Sequence, residues 1–215
     1  VKDAALPKDE ELILDQDFWN FRWENQLTGW DIGKASPALV QYFEQVEDKN
    51  LAILIPGCGN AHEAEALIAL GFSNITLIDI APKAVEILNK KFGALPQVKV
   101  ICADFFDHQG QYDRIVEQTF FCTLPLGRRS QYLHQVKSLL KTNGRLVGLL
   151  FDREFEHQGP PYGGKAADYE KLFAKEMEIS TLVACYNSIA PRANTELFIN
   201  FIKTKADETE LRKHR

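Results

Sequence analysis

From residue 51 onward, apolar runs too short for a helix alternate with segments of helical periodicity, and no other feature narrows the fold as far. Leu51–Ile55 (LAILI) is a continuous apolar run stopped by Pro56-Gly57, the pattern of a strand buried on both faces. Asn60–Leu70 carries the helical pattern. Asn60 stands as its N-cap, Glu63 follows three residues on as in a capping box, and Gly71 closes it. Ile75–Ile78 is a second strand, ending at Asp79. Pro82 opens a helix at its first turn, with Val85, Leu88 and Phe92 as the buried stripe and Gly93 as the stop. Val98–Cys102 is a third strand, ending near Asp104, and Ile115–Val116 anchors a fourth behind Tyr112-Asp113. A helix over Arg129–Leu140, a turn at Thr142-Asn143-Gly144 and a fifth strand, Arg145–Phe151, follow. Beyond them lie a long polar loop, Arg153–Lys165, a helix around Asp168–Ala174, and two strands, Ile179–Tyr186 and Glu196–Ile202.

This alternation predicts an α/β fold, Rossmann-like, with a mostly parallel seven-stranded sheet and helices on both faces. The link Ala190–Asn194 is too short for a helical crossover, so the last strand should be antiparallel. Residues 1–50 read as an N-terminal helical cap on the same domain, 51–203 as the α/β core, and 204–215 as a charged, solvated tail.

The chain has 215 residues, with 25 Lys and Arg against 30 Asp and Glu, for a formal charge of −5. A chain of this length buries about 70% of its unfolded surface, so it needs neither disulfides nor a metal to fold. No metal site is expected. The acidic balance argues against a nucleic-acid partner, which would need a basic face. Cys58, Cys102, Cys122 and Cys185 form no C-x-x-C pair, and their apolar or Gly-rich neighbours read as buried free thiols in a reducing compartment. No apolar stretch approaches the ~20 residues that span a bilayer, and the start lacks a signal-peptide core. The expectation is a cytoplasmic protein with no membrane partner. Val1 in place of Met fits a trimmed or processed chain. The histidines are dispersed beside polar residues and read as surface groups, His157 in the polar loop being the exception. Arg128-Arg129 open a helix, where cations are slightly unfavourable; they read as a surface pair, with one of them facing the pocket mouth as the alternative.

In an open parallel α/β sheet, ligands bind outside the carboxyl ends of the strands beside the switch point, where Gly57-Cys58-Gly59 falls. Glycines there let the backbone approach a ligand, and the following helix presents free N–H groups. Asp79 ends the next strand about 20 residues on, where an acid accepts from two ribose hydroxyls. A dinucleotide loop would continue to a third glycine, and His62 stands in its place. An NAD site is therefore disfavoured. Asp104, followed by Phe105-Phe106, can accept from the amino group of adenine and supply an apolar wall. Together these residues describe a pocket for an adenosine without phosphates.

The order Gly57-Cys58-Gly59, Asp79, Asp104, Tyr112-Asp113-Arg114-Ile115-Val116 and Leu139-Leu140-Lys141-Thr142-Asn143-Gly144-Arg145-Leu146 resembles the class I S-adenosylmethionine-dependent methyltransferases. Phe18–Gly33 (FWNFRWENQLTGWDIG), Ile55–Gly59, Phe120-Phe121-Cys122 and Gly159-Pro160-Pro161-Tyr162 narrow the likeness to the thiopurine methyltransferase family, and within it to the plant-type halide and thiol methyltransferases. The resemblance implies S-adenosylmethionine as cofactor. It implies that Trp19, Trp23 and Trp30 cover it, that Gly57, Asp79, Asp104 and Phe105 hold it, and that Trp30 and Tyr162 face the acceptor. Gln118 stands among the cofactor positions where relatives carry Tyr or Arg.

Trp19 and Trp23 are four apart and share one helix face, and indole faces attract a cation such as a sulfonium. Trp19 and Trp30 are expected to flank the cofactor's methionine end. An anionic acceptor needs no proton removed, so a base is dispensable; alignment and loss of water carry the reaction. That fits a chain without an evident Ser/His/Asp or Cys/His constellation. Gly159–Gly164 reads as a mobile gate with glycine hinges. The expected acceptor is a small soft nucleophile: a thiol, hydrosulfide, halide or thiocyanate. A nicotinamide-dependent oxidoreductase and a non-catalytic cofactor-binding protein are the alternative readings.

Overall fold

Every residue of strand β1 (Ile53–Pro56) is buried, because the strand lies in the middle of a parallel sheet and is covered from both sides. The computed structural model describes residues 13–157 and 159–204. Most of the charged start, His214 and the tail from residue 205 lie outside the described residues. The sheet has seven strands in the order β3-β2-β1-β4-β5-β7-β6, with β2 Ile75–Asp79, β3 Val98–Cys102, β4 Tyr112–Gln118, β5 Leu140–Phe151, β6 Glu178–Ala184 and β7 Glu196–Ile202. Only β7 runs against its neighbours, pairing antiparallel with both β5 and β6, as the short 190–194 link requires.

The side-chain period of two divides the core. Ile53, Ile55, Val116 and Val147 pack under α2 (Pro37–Glu44), α3 (His62–Ala69) and α4 (Pro82–Phe92). Leu54, Ile115 and Leu146 face the other way, under α5 (Arg129–Leu139) and α6 (Ala166–Phe173). Helix α4 buries Val85, Leu88 and Phe92, the stripe its spacing predicts, together with Ala84.

The expected turn at 142–144 is instead absorbed into β5, which begins at Leu140. Asn143 takes φ +63 while its N–H donates to the carbonyl of Lys203, and the pairing with β4 shifts register between Tyr112 and Arg114. Asn tolerates the left-handed region, so the chain continues through a bulge rather than breaking. Among the described residues, no helix is long and apolar enough to cross a membrane.

Helix α1 (Gln16–Glu24) starts on Asp15, whose carboxylate accepts from the N–H of Phe18 at 3.0 Å. It lies on α4: Trp23 packs with Ala81 and Ala84, and the Asn20 side chain accepts from the N–H of Lys83 in the first turn of α4. Helix α1 thus closes over the carboxyl ends of β1 and β2, while α2 covers the sheet face beside α3.

Candidate active site

The turn after β1 alternates hand. Gly57 (φ +54), Gly59 (φ +52) and Ala61 (φ +50) are all left-handed. At Gly57 this is required twice over, since a Cβ there would also lie 2.4 Å from Cδ2 of Phe120. The N–H of Gly59 donates to Oδ2 of Asp79 at 3.0 Å, and the N–H of Ala81 to its Oδ1 at 2.9 Å. Burial raises the Asp79 carboxyl above its ordinary value, and these two bonds oppose the shift.

Asn60 is not the N-cap expected from the sequence. Ala61 takes that place without a side-chain bond, and the Asn60 amide donates to Asp31. Glu63 makes no capping box either, its carboxylate accepting from the N–H of Ser36 at 3.0 Å. The reason lies in the cap. Asp31 also meets Nε2 of His62 at 2.8 Å, so the residue in place of a third glycine fastens the turn to the Trp30 segment. His62 is accordingly half-buried and paired, not a free surface group. The first turn of α3 carries Glu63 and Glu65, which oppose a diphosphate at that helix end.

The turn and cap form one wall of a cavity of about 1130 Å3. Trp19, Trp23, Trp30, Gly57, Asp79, Asp104 and Phe105 all line it. Trp30 meets Trp19 and Trp23 edge-on, with ring centroids 5.6 and 6.1 Å apart. Trp23 and Trp30 are the indoles nearest Gly59. Asp104 caps a short turn, one oxygen accepting from the N–H of Phe106 at 2.9 Å.

Gln118 and Tyr162 are not among the lining residues. Gln118 keeps a buried side-chain oxygen with no hydrogen-bond partner among the described residues. Tyr162 is tied through its backbone, donating to the carbonyl of Cys122 at 2.6 Å, while Pro160 and Pro161 reach the cavity. Of the glycines expected to hinge this loop, Gly159 takes φ +84, and Gly163 and Gly164 serve close packing at its far end. A Cβ on Gly163 would meet the carbonyl of Arg153 at 2.0 Å, and one on Gly164 the Tyr169 hydroxyl at 2.4 Å.

Arg128 and Arg129 are not a surface pair. Arg129 is buried, stacks on Phe121 and donates to the carbonyl of Gly163 at 2.7 Å. Arg128 lines the cavity over Phe106 at 4.1 Å. Arg22 over Trp30, Arg153 over Phe155 and Arg192 over Phe151 line it as well, and sequence reasoning singled out none of the three. Arg192 also donates to the carbonyl of Trp30 at 3.0 Å. The cysteines are free, but only Cys122 and Cys185 are buried; Cys102 is exposed at the end of an edge strand.

The floor near Phe120 rests on Glu117, at the buried end of β4. One oxygen accepts from the N–H groups of Phe120 and Phe121, both at 2.8 Å, and the other from the Tyr132 hydroxyl at 2.7 Å. Burial pushes its carboxyl from 4.5 up to about 7. Between those values the folded chain holds a proton that the unfolded chain has lost. The stability this proton contributes is complete below pH 4.5 and lost as the pH climbs through about 7. Glu117→Gln should therefore gain on the wild type by roughly 3 kcal/mol between pH 4.5 and pH 8 in urea unfolding. Parallel pH curves for the two proteins would show that no such proton is held.

Comparison with known proteins gives the family and the fold. A probable thiol methyltransferase 2 of Arabidopsis thaliana is 33% identical over 184 residues, covering 83% of this chain and 81% of the relative. Thiocyanate methyltransferase 1 of Brassica oleracea is 28% identical, covering 72% of this chain and 70% of its own. Among solved structures, magnesium protoporphyrin IX methyltransferase (ChlM) from Synechocystis PCC 6803 with bound S-adenosylmethionine superimposes with a TM-score of 0.66 at 16% identity, covering 91% of this chain and 100% of that one. The Burkholderia thailandensis 1,6-didemethyltoxoflavin-N1-methyltransferase with bound S-adenosylhomocysteine gives 0.67 at 14%, covering 93% and 94%. These structures share the fold. The model of the thiopurine S-methyltransferase family matches residues 14–206, and the chain belongs to that family.

Proposed function

We propose that this S-adenosylmethionine-dependent methyltransferase places the methyl group on a small, soft nucleophile that binds as an anion: a thiolate, hydrosulfide, halide or thiocyanate. One observation carries the reading. In a chain of net charge −5, four guanidinium groups line a single cavity, each over an aromatic ring. Arg22, Arg128 and Arg153 make no ion pair among the described residues, so their charge remains for a ligand.

The residues fit the cofactor. Asp79 holds buried oxygens for hydroxyls, Asp104 and Phe105 offer an acceptor and a ring to the base, and Gly57 leaves the backbone bare. The acidic first turn of α3 suits a nucleoside without phosphates. Bound there, S-adenosylmethionine supplies an electrophilic methyl on a cationic sulfur. Trp19, Trp23 and Trp30 act as the lid that faces the cation, within a cap spanning residues up to 50 over a core of 51–203. Phe120, Phe151 and Phe155 keep water from the anion while the arginines fix its position. Tyr162 and Gln118 act at one remove, through the loop and the strand end they anchor.

Thermal-shift measurement should show stabilisation by S-adenosylmethionine or S-adenosylhomocysteine and none by NAD or NADP. Headspace analysis should then find methyl iodide from iodide, or methanethiol from hydrosulfide. Stabilisation without methyl transfer to iodide, hydrosulfide, thiocyanate or a thiol would remove the small-anion reading.

A further inference from the structure

The cavity runs along the carboxyl edge of the sheet, and its lining follows the strand order. Asp104 comes after β3, Asp79 ends β2, Gly59 follows β1, Phe120 follows β4 and Phe151 ends β5. With the base at Asp104 and the ribose at Asp79, the rest of the cofactor continues to the β1 turn. That rest carries the sulfonium and an amino-acid tail, whose carboxylate is the sole anionic group of S-adenosylmethionine. At this turn a Cβ on Gly59 would lie 3.3 Å from Cζ2 of Trp23 and 3.9 Å from Nε1 of Trp30. Arg22, next to Trp23 on α1, holds its guanidinium over Trp30 at 5.3 Å and over Phe18 at 5.8 Å.

The other arginines of the cavity stand elsewhere or are already matched. Arg128 lies over Phe106, at the base end, and Arg153 over Phe155, beyond β5. Arg192 reaches the Trp30 carbonyl, but Glu196 stands 3.4 Å from it. Arg22 lines the cavity with its Nε buried and without a hydrogen-bond partner among the described residues. Burial lowers its pKa from the ordinary value, and no neighbouring acid opposes the shift. A buried donor left unpaired is costly, and a bare guanidinium beside a sulfonium would repel it.

We propose that Arg22 binds the carboxylate of the cofactor's amino-acid tail, closing the α1 lid on the end of the molecule opposite the base. The inference rests on the cofactor placement given above, and it leaves the remaining arginines to the acceptor. The planar guanidinium matches a carboxylate in charge and in its fork of donors, and Nε is one of those donors. Once paired, the two charges cancel next to the sulfonium, so the indoles alone face the cationic sulfur. The stacking on Trp30 and Phe18 holds the guanidinium in place before the ligand arrives.

Calorimetric titration of the full chain with S-adenosylmethionine and with its decarboxylated analogue tests this without turnover. The analogue keeps the base, the ribose, the sulfonium and the amine, and lacks the carboxylate alone. The wild type should bind S-adenosylmethionine about tenfold or more tightly than the analogue, as expected for a charged hydrogen bond. Arg22→Met should weaken S-adenosylmethionine by about tenfold or more and bind the analogue no more weakly than the wild type does, so that the preference disappears. Arg22→Lys, which keeps the charge without the fork, should retain part of it. An equal fall for both ligands would make Arg22 a packing residue of the lid, and a preference that survives in Arg22→Met would put the carboxylate elsewhere; either result overturns the proposal. Asp79→Ala tests the placement separately, since it should weaken both ligands alike. Undiminished binding of both in that variant would count against the placement, while the preference in the Arg22 variants would still decide the carboxylate contact.

Discussion

Asp79→Ala should leave no measurable binding of S-adenosylhomocysteine by calorimetry, a loss of at least a hundredfold. The carboxylate already serves the protein, accepting from the N–H of Gly59 at 3.0 Å and of Ala81 at 2.9 Å. Removing it strands two backbone N–H groups, each at roughly 1–3 kcal/mol where buried, and loosens the glycine turn from β2. The bonds a carboxylate makes to ligand hydroxyls, roughly 1.5–3 kcal/mol each, go with it. Asp79→Asn keeps the shape but turns an amide donor toward one N–H, so its loss should be smaller. Binding within about threefold of wild type in the alanine variant would place the nucleoside elsewhere.

Gly57→Ala should act on both stability and the site. Its φ of +54 costs a residue with a Cβ about 1–2 kcal/mol, before any contact is counted. The new methyl would lie 2.4 Å from Cδ2 of Phe120. The Phe120 backbone is fixed through Glu117, so its ring has to yield toward the cavity it lines. A fall in Tm of roughly 5–10 °C is expected for a chain of this size, with cofactor affinity reduced more than tenfold. Gly127→Ala, with nothing within 4 Å of the added carbon, should move Tm by about 1 °C or less. Equal behaviour of the two variants would mean that the turn accommodates a Cβ.

The fold was legible because β1, β2 and the carboxyl half of β5 are buried on both faces and so read as largely apolar runs. The glycine turn and Asp79 were legible because their roles are local: a backbone hand, and an acid at the end of the adjacent strand. What escaped the sequence was decided by distant partners. Asn60 is a fair N-cap by type, yet Asp31 takes its amide from across the cap. Arg129 opens a helix, where a cation is unwelcome, and is held there by Phe121 and the Gly163 carbonyl. Arg22, Arg153 and Arg192 come from three separate stretches, and no spacing rule gathers them. Glu117 did leave a sign, an acid following Ile115-Val116 in a central strand where an apolar residue is the rule.

The bond from Arg192 to the Trp30 carbonyl joins positions 162 residues apart. A ribosome adding about 5–20 residues per second needs roughly ten to thirty seconds to cover that interval. Throughout that time the indole-bearing segment has emerged without its final fastening. The nascent chain therefore carries three tryptophans ahead of the guanidinium that anchors one of them.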